Sequence, residues 1–181
     1  MGRLHKVLGS GLLILTLNLI AHAEGWRGII PSHSTRADVE RLLGQPPPSP
    51  GNYTLNRGRS IYFTDEGKVY IIYANDFFGS ESINDCLKKL PEDTVLFISV
   101  EPKREVELGS LNFDLGKFKT FDPSSPKGIG YKGYLDREAG LLVRAYKDRV
   151  DEVCYIAAAK DYHLCPKYYE DPESFVRLIV D

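Results

Sequence analysis

Ser34-Thr35-Arg36-Ala37-Asp38-Val39-Glu40-Arg41-Leu42-Leu43-Gly44-Gln45-Pro46 holds a full set of helix boundary signals. Thr35 followed three residues later by Asp38 has the form of a capping box, in which a hydroxyl and a carboxylate satisfy backbone N–H groups that the first helical turn leaves orphaned. Val39, Leu42 and Leu43 recur at i, i+3 and i+4, the spacing of one buried helix face. Gly44 suits the left-handed position after a helix, and Pro46, Pro47 and Pro48 forbid continuation. The stretch reads as a short helix with one apolar stripe.

Downstream lies a loop rich in Gly, Pro and Asn. Residues 60–64 and 68–73 then form β-branched and aromatic runs on either side of Asp65-Glu66-Gly67, the composition of a hairpin with a bulged turn. Residues 95–100 supply a third strand, stopped by Pro102. Residues 34–101 thus predict one helix and three antiparallel strands, and residues 108–159 follow the same order. Leu108, Leu111, Leu115 and Phe118 have helical spacing, although Leu111-x-Phe113-x-Leu115 also fits a strand. After the Pro123-Ser124-Ser125-Pro126 loop, residues 130–135 and 141–146 flank the turn Asp136-Arg137-Glu138-Ala139-Gly140, and residues 150–158 form a last strand. The expected fold class is α+β, with two similar halves that each pack a short helix on a three-stranded antiparallel sheet. A tail, residues 166–181, carries a helix-start pair Asp171-Pro172 and apolar Phe175, Val176, Leu178 and Ile179, which either dock or stay loosely attached.

Upstream, residues 1–23 divide into the regions of an export signal: Arg3, His5 and Lys6, then an apolar core over residues 8–20, then the small-x-small site Ala21-His22-Ala23. The core is shorter than the roughly 20 residues a membrane span needs. Cleavage between Ala23 and Glu24 is expected, and Glu24 stands where a lipoprotein would need cysteine. Removing 23 of 181 residues leaves 158, enough for one domain over residues 24–165 with a real core. With Arg3 and Lys6 gone, 21 basic residues face 25 acidic ones, a net charge of −4. Nucleic acid and anionic membrane surfaces, which demand a concentrated basic face, are excluded as partners. The expectation is a secreted or periplasmic soluble domain with no transmembrane segment after signal removal.

An oxidising compartment permits disulfides. Cys154 sits inside an alternating apolar run and reads as a buried thiol, whereas Cys86 and Cys165 lie at segment edges where a bridge is easier to place. A Cys86–Cys165 bridge is expected. It would close a loop of about 80 residues and stabilise the fold by up to roughly 4 kcal/mol.

The residue 34–46 segment with the aromatic hairpin after it resembles the opening of the SmpA/OmlA (BamE-like) domains and the related β-lactamase-inhibitor-protein-like fold. The longer header Trp26-Arg27-Gly28-Ile29-Ile30-Pro31-Ser32-His33-Ser34-Thr35-Arg36-Ala37-Asp38-Val39-Glu40-Arg41-Leu42-Leu43-Gly44 is similar to that of a group of short exported bacterial proteins of unassigned function. The first resemblance implies two short helices on a three-stranded sheet and an envelope or extracellular interaction module without catalysis. The missing lipid-bearing cysteine argues against membrane tethering.

Chemical motifs are weak. Gly128-x-Gly130-x-x-Gly133 leaves a loop and enters a strand, whereas a pyrophosphate cradle must leave a strand and open a helix. His33 and His163, the two histidines after the signal, lack ligand-like spacing, so no metal site is expected. His33 beside Ser32, Ser34 and Thr35 reads as a helix-start cluster rather than a nucleophile and base, and His163 near Cys165 is no catalytic pair if Cys165 is bridged. The acid pairs Asp65-Glu66 and Asp136 with Glu138 fall in turns, where carboxylates are ordinary; Asp151-Glu152 lies on a strand. Asn52-Tyr53-Thr54 is a glycosylation sequon that matters only in a eukaryotic secretory pathway. Catalytic, metal and cofactor sites are therefore all expected to be absent.

Tyrosine offers rigid amphipathic contact area and also fills half-exposed sheet faces. Among the strand tyrosines, Tyr62, Tyr70, Tyr73, Tyr134 and Tyr146 form the expected binding surface for a protein or envelope component. The competing expectation is a small secreted hydrolase acting on polysaccharide or peptide, with acids or His163 in a cleft.

Overall fold

The structure, a computed structural model, describes residues 25–48, 58–74, 90–122 and 130–164. The export signal with its Ala23/Glu24 site, the sequon, Cys86, Cys165 and the tail lie outside the described residues. Helix α1 (Arg36–Leu43) starts on the expected capping box: Thr35 Oγ1 accepts from Asp38 N–H at 3.4 Å, and Asp38 Oδ2 accepts from Thr35 N–H at 2.9 Å. Gly44 ends the helix at φ 82°, ψ −178°, a region that belongs to glycine, and its N–H donates to Glu40 O at 2.9 Å. The apolar stripe is narrower than its spacing implied, because Val39 is buried and Leu43 half-buried while Leu42 is 42% exposed.

Seven strands follow: β1 (Arg59–Phe63), β2 (Gly67–Tyr73), β3 (Val95–Pro102), β4 (Lys119–Phe121), β5 (Tyr131–Asp136), β6 (Leu141–Tyr146) and β7 (Arg149–Tyr155). They form one antiparallel sheet in the order β1-β2-β3-β7-β6-β5-β4. This corrects the expected fold class. There are not two halves, each a helix on its own three-stranded sheet, but one seven-stranded sheet and, among the described residues, one α-helix. The meander β1-β2-β3 and the meander β5-β6-β7 join through their last strands, with Ile98 paired to Tyr155, Ser99 to Cys154 and Val100 to Val153.

The second expected helix is replaced by two single 3-10 turns, Leu108–Ser110 and Leu115–Lys117. A 3-10 turn repeats every three residues, so Leu108 with Leu111, and Leu115 with Phe118, still share a face without an α-helix. Gly109, Asn112, Asp114 and Gly116 are poor helix formers, and Asp114 Oδ1 accepts from Gly116 N–H at 3.2 Å, a local bond that competes with helix formation. Leu108, Leu111 and Phe118 are buried in the core.

The sheet's first face is covered by α1, these turns and the N-terminal turn that carries Trp26 and Ile29. Its core includes Val69, Ile71, Val95, Ile98, Val143 and Val153. Trp26 Nε1 donates to Glu66 Oε2 at 2.7 Å, and the Arg27 guanidinium reaches Glu66 Oε1 at 2.9 Å and also Asp65. The acids of the first hairpin turn therefore anchor the N-terminal turn. The backbone beside that turn is close-packed: a Cβ on Gly67 would lie 1.9 Å from Glu101 O.

Thr35→Ala should lower unfolding free energy by about 1 kcal/mol in urea denaturation, and Thr35→Ser should retain most of it. The backbone N–H and hydroxyl of Thr35, with Arg41, hold the Asp38 carboxyl below its ordinary value of 3.8. A depressed carboxyl stabilises the fold above its unfolded pKa, and this is lost as pH falls through the folded value. Asp38→Asn should therefore flatten the decline of stability below about pH 4, measured by denaturation across an acid series.

Candidate binding face

Strand alternation places Lys68, Tyr70, Ser99, Glu101, Glu152, Cys154, Arg144 and Tyr131 on the sheet's second face. This face has two unlike ends. At one end Ile72, Phe97, Leu135, Leu142 and Cys154 pack with Leu90, Ile156 and Ala157, and against Tyr162 and Leu164 of the 3-10 helix Ala159–Leu164. At the other end a row of charges crosses four adjacent strands. Lys68 Nζ of β2 lies 4.0 Å from Glu101 Oε2 of β3, its register partner. Continuing the Val100–Val153 register by one residue brings Glu101 beside Glu152 of β7, and Glu152 pairs with Arg144 of β6.

Glu152 is 2% exposed. Its Oε1 accepts from the buried hydroxyl of Ser99, and its Oε2 lies 3.3 Å from Arg144 Nη2 without hydrogen-bond alignment. Arg144 Nε donates to Asp151 Oδ2 at 3.0 Å, and Nη2 donates to the same oxygen. Consecutive strand residues normally point to opposite faces. Here the register slips, with Arg144 opposite Glu152 but Ala145 opposite Val150, leaving Asp151 as an extra residue in β7. That bulge lets two successive carboxylates reach one guanidinium. Burial alone would lower the Arg144 pKa, but the two carboxylates outweigh it and hold the side chain firmly cationic. Burial, then the charge of Glu152, pushes the Cys154 thiol well above its ordinary range. Cys154 is a free, buried thiol, as its apolar context implied.

Cations and tyrosines flank the row. The Arg144 guanidinium lies 5.6 Å from the Tyr131 ring centroid, and Tyr131 and Tyr146 meet with centroids 5.1 Å apart at 47°. Lys147 stands 5.3 Å over Tyr146, while Lys68 and Arg59 stand 4.4 and 5.7 Å over Tyr70. Of the expected tyrosine surface, Tyr70 and Tyr146 lie here. Tyr62 and Tyr73 are buried on the first face and Tyr134 packs partly against that core, so the five do not form one surface. Tyr62 donates to Gly44 O at 3.2 Å, and burial, then Tyr73, pushes its phenol up to about 12. Tyr73 lies 4.0 Å beneath the Arg36 guanidinium. Arg144 and Ser99 carry no motif in the sequence, and Glu152 stands out there only as half of the acid pair Asp151-Glu152. The signal for Arg144 and Glu152 is a charged residue at a face-two position inside the runs Leu141–Tyr146 and Arg149–Tyr155, and for Ser99 a polar residue inside the apolar strand Val95–Pro102.

The other motifs are used structurally. His33 Nε2 lies 3.1 Å from Asp161 Oδ1, joining the approach to α1 with the last 3-10 helix, and Ser34 Oγ accepts from Ile30 N–H at 2.8 Å. The exposed His163 bonds through Nδ1 to Lys160 O at 2.8 Å. Asp136 Oδ1 accepts from Ala139 N–H at 3.0 Å inside its turn. Gly133 lies within β5 beneath the Phe121 ring, which a Cβ would strike at 2.3 Å. Among the described residues, no group of three or more His, Cys, Asp or Glu is arranged to hold a metal ion, and no helix is long and apolar enough to cross a membrane.

No family model matches the chain, and no curated protein does. Among solved structures, the crystal structure of a DUF4309 family protein (YjgB) from Bacillus subtilis subsp. subtilis str. 168 is similar at 17% identity and a TM-score of 0.48, over 78% of this chain and 93% of that one.

Arg144→Met leaves Glu152 buried without a counter-charge and should destabilise the fold by about 3–5 kcal/mol in urea denaturation at neutral pH. Adding Glu152→Leu should recover most of that loss, since replacing both charges by apolar groups removes the cost of the stranded one. Alkylation of the native protein at mildly alkaline pH, read by peptide mapping, should leave Cys154 unmodified until the chain is unfolded.

Proposed function

We propose that the chain is an exported, non-catalytic interaction module, and that the charged, tyrosine-bearing half of the second sheet face contacts a protein or envelope component. The observation that carries this reading is the Arg144 cluster, in which Asp151 and Glu152 lock a guanidinium between strands beside Tyr131 and Tyr146. A cation and aromatic rings fixed on rigid strands lose little entropy on binding, and Tyr and Arg are the side chains that dominate contact surfaces. The composition of residues 1–23 supports export, and the edge positions of Cys86 and Cys165 support a bridge between them.

The hydrolase alternative would draw on the His33–Asp161 pair, the His–carboxylate contact among the described residues. Its hydroxyl neighbour Ser34 is already bonded to Ile30 N–H, which favours a structural role for the pair.

Affinity capture with the mature protein, from an extract of its own envelope and medium, should recover a stoichiometric partner. Tyr146→Ala combined with Lys147→Glu should weaken that complex by about tenfold or more, while Lys117→Ala on an exposed turn should not. A partner indifferent to the Tyr146/Lys147 change would remove the face from the proposal. Hydrolytic turnover abolished by His33→Ala or His163→Ala would overturn the non-catalytic reading. Peptide mapping without reductant should show Cys86 joined to Cys165, and a bridge containing Cys154 would contradict that pairing.

A further inference from the structure

The two ends of the sheet are finished differently. At one end, β4 is three residues long and exposes Lys119 and Thr120, a short and charged edge of the kind that resists further pairing. At the other end, β1 runs for five residues in an unbroken register with β2, contains no proline or bulge, and among the described residues is paired on one side only. It ends on Phe63, which is 70% exposed and the most exposed large hydrophobic side chain among the described residues. An edge strand with these properties is a template for another strand.

We infer that β1 pairs antiparallel with β1 of a second copy of this chain, about a twofold axis through Ile61. The inference is independent of the proposed partner at the Arg144 cluster. What selects a second copy is the self-complementarity of Arg59-Ser60-Ile61-Tyr62-Phe63. In that register Ile61 faces the partner's Ile61, Ser60 faces the partner's Tyr62, and Arg59 faces the partner's Phe63 twice over, once on each side of the axis. Arg59, Ile61 and Phe63 share the second face by strand alternation, so the facing pairs lie on the side away from α1. Arg59 already lies 5.7 Å from the Tyr70 ring, and the partner's Phe63 would offer it a second aromatic face. Just beyond Phe63, the Asp65 carboxylate is exposed but already paired with Arg27, so the pairing rests on the backbone ladder and the two Arg59–Phe63 contacts. The contact is isologous and therefore closes at two copies.

Sedimentation velocity of the mature protein across a wide concentration range should show a monomer–dimer equilibrium. Ile61→Lys should raise the dimer dissociation constant by about tenfold or more, with circular dichroism and thermal midpoint of the monomer retained. Ile61→Cys, on the axis, should form a cross-linked dimer under mild oxidation beyond any background from the native cysteines, and Thr120→Cys on β4 should not. A protein that stays monomeric at all concentrations, a dimer unaffected by Ile61→Lys, cross-linking through Thr120→Cys instead, or a monomer that takes up an unrelated extended peptide at β1 would each overturn the inference.

Discussion

Three residue pairs, Ile98 with Tyr155, Ser99 with Cys154 and Val100 with Val153, hold β3 against β7, and the other elements take their places from that junction. Both strands are apolar over most of their length and buried on both sides, which is the condition of a central strand. Burying side chains such as Ile98, Val100 and Val153 contributes about 1.5–3 kcal/mol each. Left apart, the two meanders would each present an apolar edge strand to water. Joined, they give one sheet with an inner face broad enough for α1, the Trp26 turn and the two 3-10 turns to share a single core.

The same junction makes the polar cluster. Ser99 and Glu152 are 53 positions apart, and they meet only because β3 and β7 are neighbours. Burying a carboxylate in mid-sheet is unfavourable unless charge and hydrogen bonds compensate it. Ser99 supplies the hydrogen bond, Arg144 supplies the charge, and the Asp151 bulge gives Arg144 a second carboxylate that keeps it in position. The second face is thereby divided into an apolar end beneath the last 3-10 helix and a charged end flanked by tyrosines. An ordinary half-exposed face would not need a charge fixed so firmly at its centre.

Much of the local structure was legible before any tertiary contact was known. The Thr35–Asp38 box, the glycine stop at Gly44 and both hairpin turns all act between residues a few positions apart. The Leu108–Phe118 stretch was ambiguous because 3-10 turns and α-helices both place i and i+3 side chains on one face. Glycine and short polar residues decided between them through backbone conformation rather than hydrophobic pattern. Tyrosines 62, 73 and 134 were grouped with 70 and 146 because composition shows that a ring is present, but not which side of the sheet is covered. Parity along each strand separates them, and only the placement of α1 and the turns says which parity is buried.

The sequence by itself determined six of the seven strands, the hairpin turns, the capped helix Arg36–Leu43 and the buried thiol at Cys154, because each of these depends on neighbours along the chain. It did not mark the short strand Lys119–Phe121 or the absence of a second helix over residues 108–118. The tertiary structure decided that the two meanders form one sheet, which face is closed, and that Ser99, Arg144, Asp151 and Glu152 converge. The physical reason is that strand edges pair through backbone N–H and C=O groups that nearly every residue carries. A strand's own residues therefore declare that it will pair without naming its partner, and the choice of β7 for β3 is made by how all the apolar faces can be buried at once.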